Sequence, residues 1–206
     1  MRGPFEKRTA ATVEAPGVAL GLVELSSIAR GHAVLDAMVK KAPVTVVTAR
    51  SVSPGKFLVL VSGDVASVGE SMQIGRELGG DRVVASLELA QVATLVTEAL
   101  SGKVAPAPVD GAIGVLELQH VSATLLSADA AVKAAEVTLC GLHLADGIGG
   151  KGYFVVDGEH VDVEAAVEVA TAVLAGRGKL VRAEIIARPH PEFLAHVLRP
   201  APFGAR

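Results

Sequence analysis

Aromatic side chains are scarce in this chain of 206 residues. They make up 3% of it, with one Tyr and no Trp, although half of all residues are hydrophobic. The core must therefore be built from Val, Leu, Ile and Ala, each of which buries less apolar area than an aromatic ring. A domain of about 90 residues built in this way would be marginally stable alone. The composition therefore predicts additional burial between domains or between subunits.

Cysteines, an excess of one charge and long apolar runs are also missing. The single Cys140 excludes an intramolecular disulfide framework and fits a cytosolic protein. The 19 basic and 22 acidic residues are interspersed without a basic stripe, which gives no support to nucleic-acid binding. Uncharged stretches such as 118–128 fall short of the ~18 apolar residues of a membrane span, and residues 1–9 lack the apolar stretch of a secretion signal. We expect a soluble cytoplasmic protein without nucleic-acid or membrane partners.

What the sequence does contain is an internal repeat. The segment 19–25 recurs at 112–118, an offset of 93, and positions 19–45 share 11 identities in 27 with positions 112–138. Chance gives roughly two identities for this composition. The offset grows to 95 between Gly55 and Gly150 and to 97 between Ala90 and Ala187, as expected where loops of a shared domain accept insertions. The chain is therefore predicted to be two copies of one domain.

Each copy is predicted to fold as β-α-β-β-α-β with a further C-terminal helix. In copy one we expect strands at 18–25, 44–49, 57–61 and 82–89, a turn at 53–55, and a second helix that starts at Asp64 or Ser67. This is the ferredoxin-like order of an α+β fold, an α/β sandwich with an antiparallel sheet. We divide the chain into an irregular extension at 1–16, a first domain at 17–102, a linker at 103–110 and a second domain at 111–206 that ends in a short tail.

The first helix of each copy has an apolar stripe that should face the core. In copy one it consists of Ile28, Gly31, Leu35, Met38, Val39 and Ala42. In copy two it consists of Val121, Thr124, Ala128, Ala131, Val132 and Ala135.

Residue sets for catalysis or metal binding are weak. Gly-Lys occurs in two Gly-rich loops, yet Phe57 and Gly152 follow the lysines where a P-loop needs Ser or Thr. The six histidines lack metal-ligand spacing, and no second Cys completes a zinc set. Glu24 and Glu117 are equivalent positions of two domains, so we expect them to lie far apart and make structural contacts. We predict no enzyme, metal or cofactor; a ligand-sensing ferredoxin-like oligomer that binds a small anion at the Gly-rich loops stays open as the alternative.

The aligned stretches resemble the bacterial microcompartment shell proteins of the tandem-domain type. The likeness runs in order through both halves of 18–198, in the unpermuted branch of that family, and is carried by 19–24, 36–42, 55–56, 62–65 and 185–190. It implies that three chains form a pseudo-hexameric tile in the shell of a cytoplasmic microcompartment. Its implied partners are further copies of the chain and hexameric and pentameric shell proteins. Encapsulated enzymes are a further candidate.

The resemblance also implies which residues act. The hairpin turns would meet at the symmetry axis and line a pore for small polar metabolites: Ser51, Val52, Ser53, Pro54, Gly55 and Lys56 from copy one, and Ile148, Gly149, Gly150 and Lys151 from copy two. Edges of neighbouring tiles would meet through Lys40, Lys133, Arg188 and His190. By residue type alone, the two lysines are solvated residues that favour the helix dipole. Some tandem relatives hold an iron–sulfur cluster through a pore-loop cysteine; Ser53 stands at that position here, so we expect no cluster.

Copy two also differs from copy one in ways that bear on the tile. It has two extra residues near its turn, so the pore should be three-fold rather than six-fold. Copy one has 91–93 as Gln-Val-Ala where copy two has Arg-Pro-His at 188–190. Only three of the six pseudo-equivalent edges would therefore present an arginine.

Overall fold

The computed structural model describes residues 19–104, 111–176 and 180–197. The first domain contains β1 (Ala19–Leu25), α1 (Ile28–Lys41), β2 (Thr45–Val52), β3 (Lys56–Gly63), α2 (Val65–Gly79), β4 (Val83–Leu89) and α3 (Thr94–Leu100). A 3-10 turn, Gly80–Arg82, leads into β4. The strands form an antiparallel sheet in the order β2-β3-β1-β4.

The second domain repeats this architecture. It contains β5 (Ala112–Leu118), α4 (Val121–Ala134), β6 (Thr138–Leu144), β7 (Gly152–Gly158), α5 (His160–Ala172), β8 (Leu180–Ala187) and α6 (Pro191–Val197). Its antiparallel sheet has the order β6-β7-β5-β8. The predicted fold class and element order are confirmed. The predicted extension, nearly all of the linker and the tail after 197 lie outside the described residues, so the domain boundaries stay a prediction.

The strand registers reproduce the three offsets of the sequence repeat. The strands β1 and β5 each carry a glutamate that is paired with one residue on each adjacent strand. Glu24 is paired with Leu58 and Ala85, and Glu117 is paired with Tyr153 and Arg182. The matching residues are 93, 95 and 97 positions apart. A register shift also interrupts the outer strand at the same place in both domains, between 46 and 48 and between 139 and 141. Equivalent sequence positions are therefore equivalent positions in the fold.

Side-chain caps fix where the first domain's helices begin. The Ser27 hydroxyl accepts a hydrogen bond from the Arg30 N–H at 3.3 Å and so caps α1. Of the two predicted starts of α2, Asp64 is the cap: its carboxylate accepts the Ser67 N–H at 2.9 Å and the Ser67 hydroxyl at 2.6 Å. These bonds, led by the one from the hydroxyl, lower the pKa of Asp64.

The two domains share one apolar core. In the first domain, α1 and α2 cover one face of the sheet, where Val23, Val59 and Met72 are buried. The opposite face of that sheet belongs to the same cluster as the second domain's interior, represented by Leu22 and Leu125. The chain therefore supplements two small aliphatic cores by packing one domain on the other, as the lack of aromatics suggested.

The predicted stripe of α1 is wrong at two positions. Gly31 and Met38 are buried, but Ile28 and Val39 are exposed and Val34 is buried in their place. Gly31 sits against the Phe57 ring: a Cβ there would lie 2.3 Å from Cδ1. In α4 the counterparts Val121, Thr124, Ala128 and Ala131 are all buried, because α4 also packs on β1 and β4 of the first domain. Hydrophobic periodicity identifies the apolar residues of a helix but does not show which other elements of the fold cover them.

Candidate functional site

The first hairpin turn joins β2 to β3 through three residues. The Gly55 N–H donates to the Val52 carbonyl at 2.9 Å, and Gly55 has φ 88°, which a glycine adopts without strain. Ser53, Pro54 and Gly55 are exposed, as is Ser51 on the strand before them. Val52 is buried in the shared core beneath the turn, so its side chain is not part of this exposed rim.

The second hairpin turn, between β6 and β7, is longer. The Ala145 N–H donates to the Lys151 carbonyl at 2.8 Å and closes the loop. Gly147, Gly149 and Gly150 all have positive φ, which explains the density of glycines in this segment. The extra residues of copy two are accommodated here, as predicted from the first change of offset.

The two turns lie against each other within one chain. A Cβ built on Gly150 would lie 2.7 Å from the Ser53 carbonyl oxygen and 3.2 Å from Cδ of Pro54. Beside this contact, the Arg50 guanidinium forms an ion pair with Asp146 at 2.9 Å. Predicted pore residues of both copies are therefore brought together at one place on the surface.

A glutamate–lysine pair lies at the base of each turn. Lys56, at the start of β3, lies with its Nζ 3.5 Å from Oε2 of Glu24, whose side chain is fully buried. In the second domain, Lys151 and Glu117 are 2.7 Å apart and remain partly exposed. The two predicted pore lysines are thus held by the two glutamates, each of which binds its own lysine.

Glu24 also joins the two domains. Its Oε1 accepts the N–H of Ser122, in the first turn of α4, at 2.7 Å. A carboxylate in this position favours the helix dipole and satisfies one of the free N-terminal amides. His120, which precedes α4, places Nδ1 3.3 Å from Nζ of Lys56.

Lys133, predicted at a tile edge, lies at the junction between the two domains. Its Nζ donates to Asp129, 2.5 Å away, and to the Gln91 carbonyl of the first domain. Asp129 also accepts the Ala93 N–H at 2.8 Å. The α4 residues Ser122, Asp129 and Lys133 therefore bind first-domain backbone or side-chain groups along one side of the helix.

The other predicted edge residues are on the surface. Lys40 pairs with Asp36 one helical turn away at 2.7 Å, and both are exposed. Arg188 and His190 are exposed around the buried Pro189, after the last strand of the sheet. Arg188 has φ 49°, and Nδ1 of His190 accepts the Glu192 N–H at 3.3 Å. No contact within the described part of the chain joins Lys40 to Arg188.

Metal-binding chemistry finds little support in the described residues, which contain no group of three or more His, Cys, Asp or Glu suited to hold a metal ion. Cys140 is buried on β6, remote in sequence from Ser53, and its thiol faces the Thr138 carbonyl at 3.5 Å. Burial, assisted by the nearby charge of Asp157, raises the pKa of this thiol to about 12. No helix among the described residues is long and apolar enough to cross a membrane.

The residues that join the domains were missed by sequence reasoning. Asp129 and Ser122 carry no motif, and Glu24 was assigned only unspecified structural contacts. One signal was present: Glu24, Asp36 and Lys40 recur as Glu117, Asp129 and Lys133 in the repeat. Polar residues retained in both copies of a diverged repeat indicate a contact that both copies make.

Comparisons with known proteins agree with this architecture. The BMC domain family matches residues 19–92 and again 112–189. The chain is 42% identical over 172 residues to the bacterial microcompartment shell protein PduT of Citrobacter freundii, covering 84% of this chain and 93% of the relative. The crystal structure of a microcompartment protein from Desulfitobacterium hafniense DCB superposes with a TM-score of 0.75 at 35% identity, covering 85% of this chain and 97% of that one.

A more distant structure shares the fold. The fused permuted hexameric shell protein MSM0275 from the RMM microcompartment superposes with a TM-score of 0.58 at 21% identity, covering 76% of this chain and 83% of that one. With both halves matched by one domain family and the relative at 42% identity, this chain belongs to the bacterial microcompartment shell proteins and carries two BMC domains in tandem.

Proposed function

We propose that three copies of this shell protein form a pseudo-hexameric tile whose central pore passes small polar metabolites. The observation that carries the proposal is the contact between the two turns, in which Gly150 lies against Ser53 and Pro54. Six such turns, two from each chain, would surround one axis. Exposed backbone N–H groups, carbonyls and the Ser51 and Ser53 hydroxyls would then line the opening and favour polar solutes.

The pore is tested by cross-linking at the turn. Ser53→Cys places an exposed thiol at the proposed axis, while the native Cys140 is buried and contributes little background. A trifunctional maleimide should join three Ser53→Cys chains into a covalent trimer on a denaturing gel. Asp81→Cys, exposed in the 3-10 turn before β4, is the matched control and should give no covalent trimer. If Ser53→Cys chains form trimers in solution but the maleimide does not cross-link them, the proposed pore is contradicted.

The exposed residues around Arg188 are proposed as contacts between tiles. Shell proteins of this family assemble with other shell proteins; contacts of Lys40, Lys133, Arg188 and His190 with hexameric or pentameric partners are part of the proposal. Arg188→Asp reverses an exposed charge and should abolish sheets in electron micrographs while trimers persist in light scattering. Lys103→Asp, an equal charge change at another exposed position, should leave the sheets intact.

The family is a structural one rather than an enzyme family. We propose that this chain likewise has no catalytic role and needs no cofactor. The ligand-sensing alternative is not favoured, because both Gly-rich loops belong to BMC domains of a shell protein. Thermal-shift screening tests this choice: a large, saturable rise of Tm with one phosphate or nucleotide would support the sensor.

A further inference from the structure

A cavity of about 410 Å³ opens between the two domains of one chain. Its walls come from α2 and β4 of the first domain and from α4 of the second, and they include Arg76, Ser86, Glu88, Ser122, Ala123 and Leu126. None of the described lining residues belongs to the hairpin turns or to the proposed tile edges. Cavities of this size between domains are common sites for small molecules.

One wall of the cavity carries a buried serine hydroxyl. Ser122 is 5% exposed, and its N–H is bound by the Glu24 carboxylate. Within the part of the chain that the structure describes, its hydroxyl forms no hydrogen bond with another group. A side chain this buried normally has a hydrogen-bond partner for its polar atoms. The Ser122 hydroxyl is therefore available to a molecule that enters the cavity.

Two opposite charges also border the cavity. The Arg76 guanidinium on α2 forms an ion pair with the Glu88 carboxylate on β4, and the two side chains are 42% and 38% exposed. An ion pair this exposed contributes little net stability, so a ligand can separate its members at small cost. The guanidinium can then bind a carboxylate through two parallel hydrogen bonds, and the Glu88 carboxylate can accept hydrogen bonds from an ammonium group.

The helix α4 favours one orientation of such a ligand. Ser122 and Ala123 lie in its first turn, where the helix dipole favours negative charge. A carboxylate is therefore best placed between this turn and Arg76, with the positive end of the ligand at Glu88. Ala123 and Leu126 supply an apolar wall for an aliphatic group.

The polar residues of the cavity are confined to one copy of the repeat. At the corresponding positions, related by the offsets of 93, 95 and 97, the other copies carry no charged side chain and one hydroxyl: Thr171 for Arg76, Ala183 for Ser86, Ile185 for Glu88 and Ala29 for Ser122. The shared fold therefore does not require this polar set. A structural contact common to both domains does not explain it.

We propose that this cavity binds a small zwitterion of the α-amino-acid class. The ligand carboxylate accepts hydrogen bonds from Arg76 and from the Ser122 hydroxyl. Its ammonium group donates to Glu88, and its aliphatic part contacts Ala123 and Leu126. All of these residues belong to one chain. The site is therefore independent of the proposed trimer and of its pore.

Titration of the ¹⁵N-labelled protein with L-valine tests the site. Saturable chemical-shift changes should appear at the amides of Leu87 and Ala123, which line the cavity, and not at Gly55 and Gly150 of the turns. No saturable change up to the solubility limit of L-valine, or changes confined to the two turns, would overturn the proposal.

Two further probes test the recognition of both charges. The probe 3-methylbutanoate lacks the ammonium group of L-valine, and 2-methylpropylamine lacks its carboxylate. Each should bind about tenfold or more weakly than L-valine, because one charge-assisted contact is lost. Equal affinities for the three probes would overturn the assignment of a zwitterion.

Variants of the cavity complete the test. Arg76→Gln removes an exposed charge, so the fold should persist by circular dichroism, and the affinity for L-valine should fall about tenfold or more. Arg182→Gln, from the exposed Arg182–Glu184 pair on β8, is the matched control and should bind as the wild type does. Ser122→Ala keeps the N–H that binds Glu24 and should weaken binding about threefold or more. Wild-type affinity in both Arg76→Gln and Ser122→Ala would overturn this site.

Discussion

Removing the Glu24 carboxylate should destabilise the single chain far more than removing its repeat counterpart. Glu24 is fully buried and contacts both Lys56 and the Ser122 N–H. Glu24→Ala removes the counter-charge of Lys56, whose side chain is 16% exposed. It also leaves the buried N–H of Ser122 at the domain junction without its acceptor. Breaking a buried pair from one side costs about 3–5 kcal/mol. Glu117→Ala removes a partly exposed ion pair, which is worth about 0–1 kcal/mol.

The assay is urea unfolding followed by circular dichroism. Wild type and both variants are compared at concentrations where sedimentation shows separate chains, so that subunit contacts do not contribute. The free energy of unfolding should fall at least about 2 kcal/mol further for Glu24→Ala than for Glu117→Ala. Equal losses in the two variants, or a loss below about 1 kcal/mol for Glu24→Ala, would refute the role of Glu24 in joining the domains.

Two further predictions concern packing and pH. Gly31→Ala should lower the free energy of unfolding by about 1–3 kcal/mol, because the added Cβ would overlap the buried Phe57 ring. Gly69→Ala, whose Cβ would meet nothing closer than 3.9 Å, should raise the free energy of unfolding by about 0.5–1 kcal/mol. Urea unfolding measures both variants, and a Gly31→Ala variant as stable as the wild type would contradict the contact with Phe57. Burial raises the pKa of Asp157 in the folded state above the ordinary aspartate value of 3.8. Above pH 3.8 the unfolded chain gains more from ionising this carboxyl, so the folded state loses stability; well below pH 3.8 the carboxyl is neutral in both states and has no such effect. Asp157→Asn should therefore raise Tm at pH 7, with the gain disappearing as the pH falls towards 3.8; a lower Tm at pH 7 would show that the charged form is stabilised.

The fold was accessible from sequence because both copies give the same local signals. Strands, helices and turns fall where hydrophobic periodicity, the predicted helix start at Asp64 and the predicted turn at 53–55 indicate. Each element was predicted twice, once from each copy of the repeat, and the changes of offset identified the loops. The turn residues of the candidate site could be nominated because glycines and proline at a hairpin are local features, although Val52 is buried by a core that no local pattern describes.

The contacts between the copies were not accessible in this way. Nothing in the first helix's own sequence distinguishes Ile28, which is exposed, from Val34, which is buried. Lys133 and Lys40 share one motif, yet only Lys133 reaches Gln91. Val34 is buried by the first domain's own sheet and second helix. Lys133 reaches Gln91 because α4 packs on the first domain, whereas no second domain covers α1 among the described residues.

The repeat, the order of elements and the shortage of large core side chains follow from the amino-acid sequence, because propensity, periodicity and composition act over short distances. Which copy is covered, which glutamate is buried and where the two turns meet follow from the folded chain. Those outcomes depend on how two nearly equivalent surfaces from distant parts of the chain dock, and equivalent sequences cannot specify which of them finds a partner.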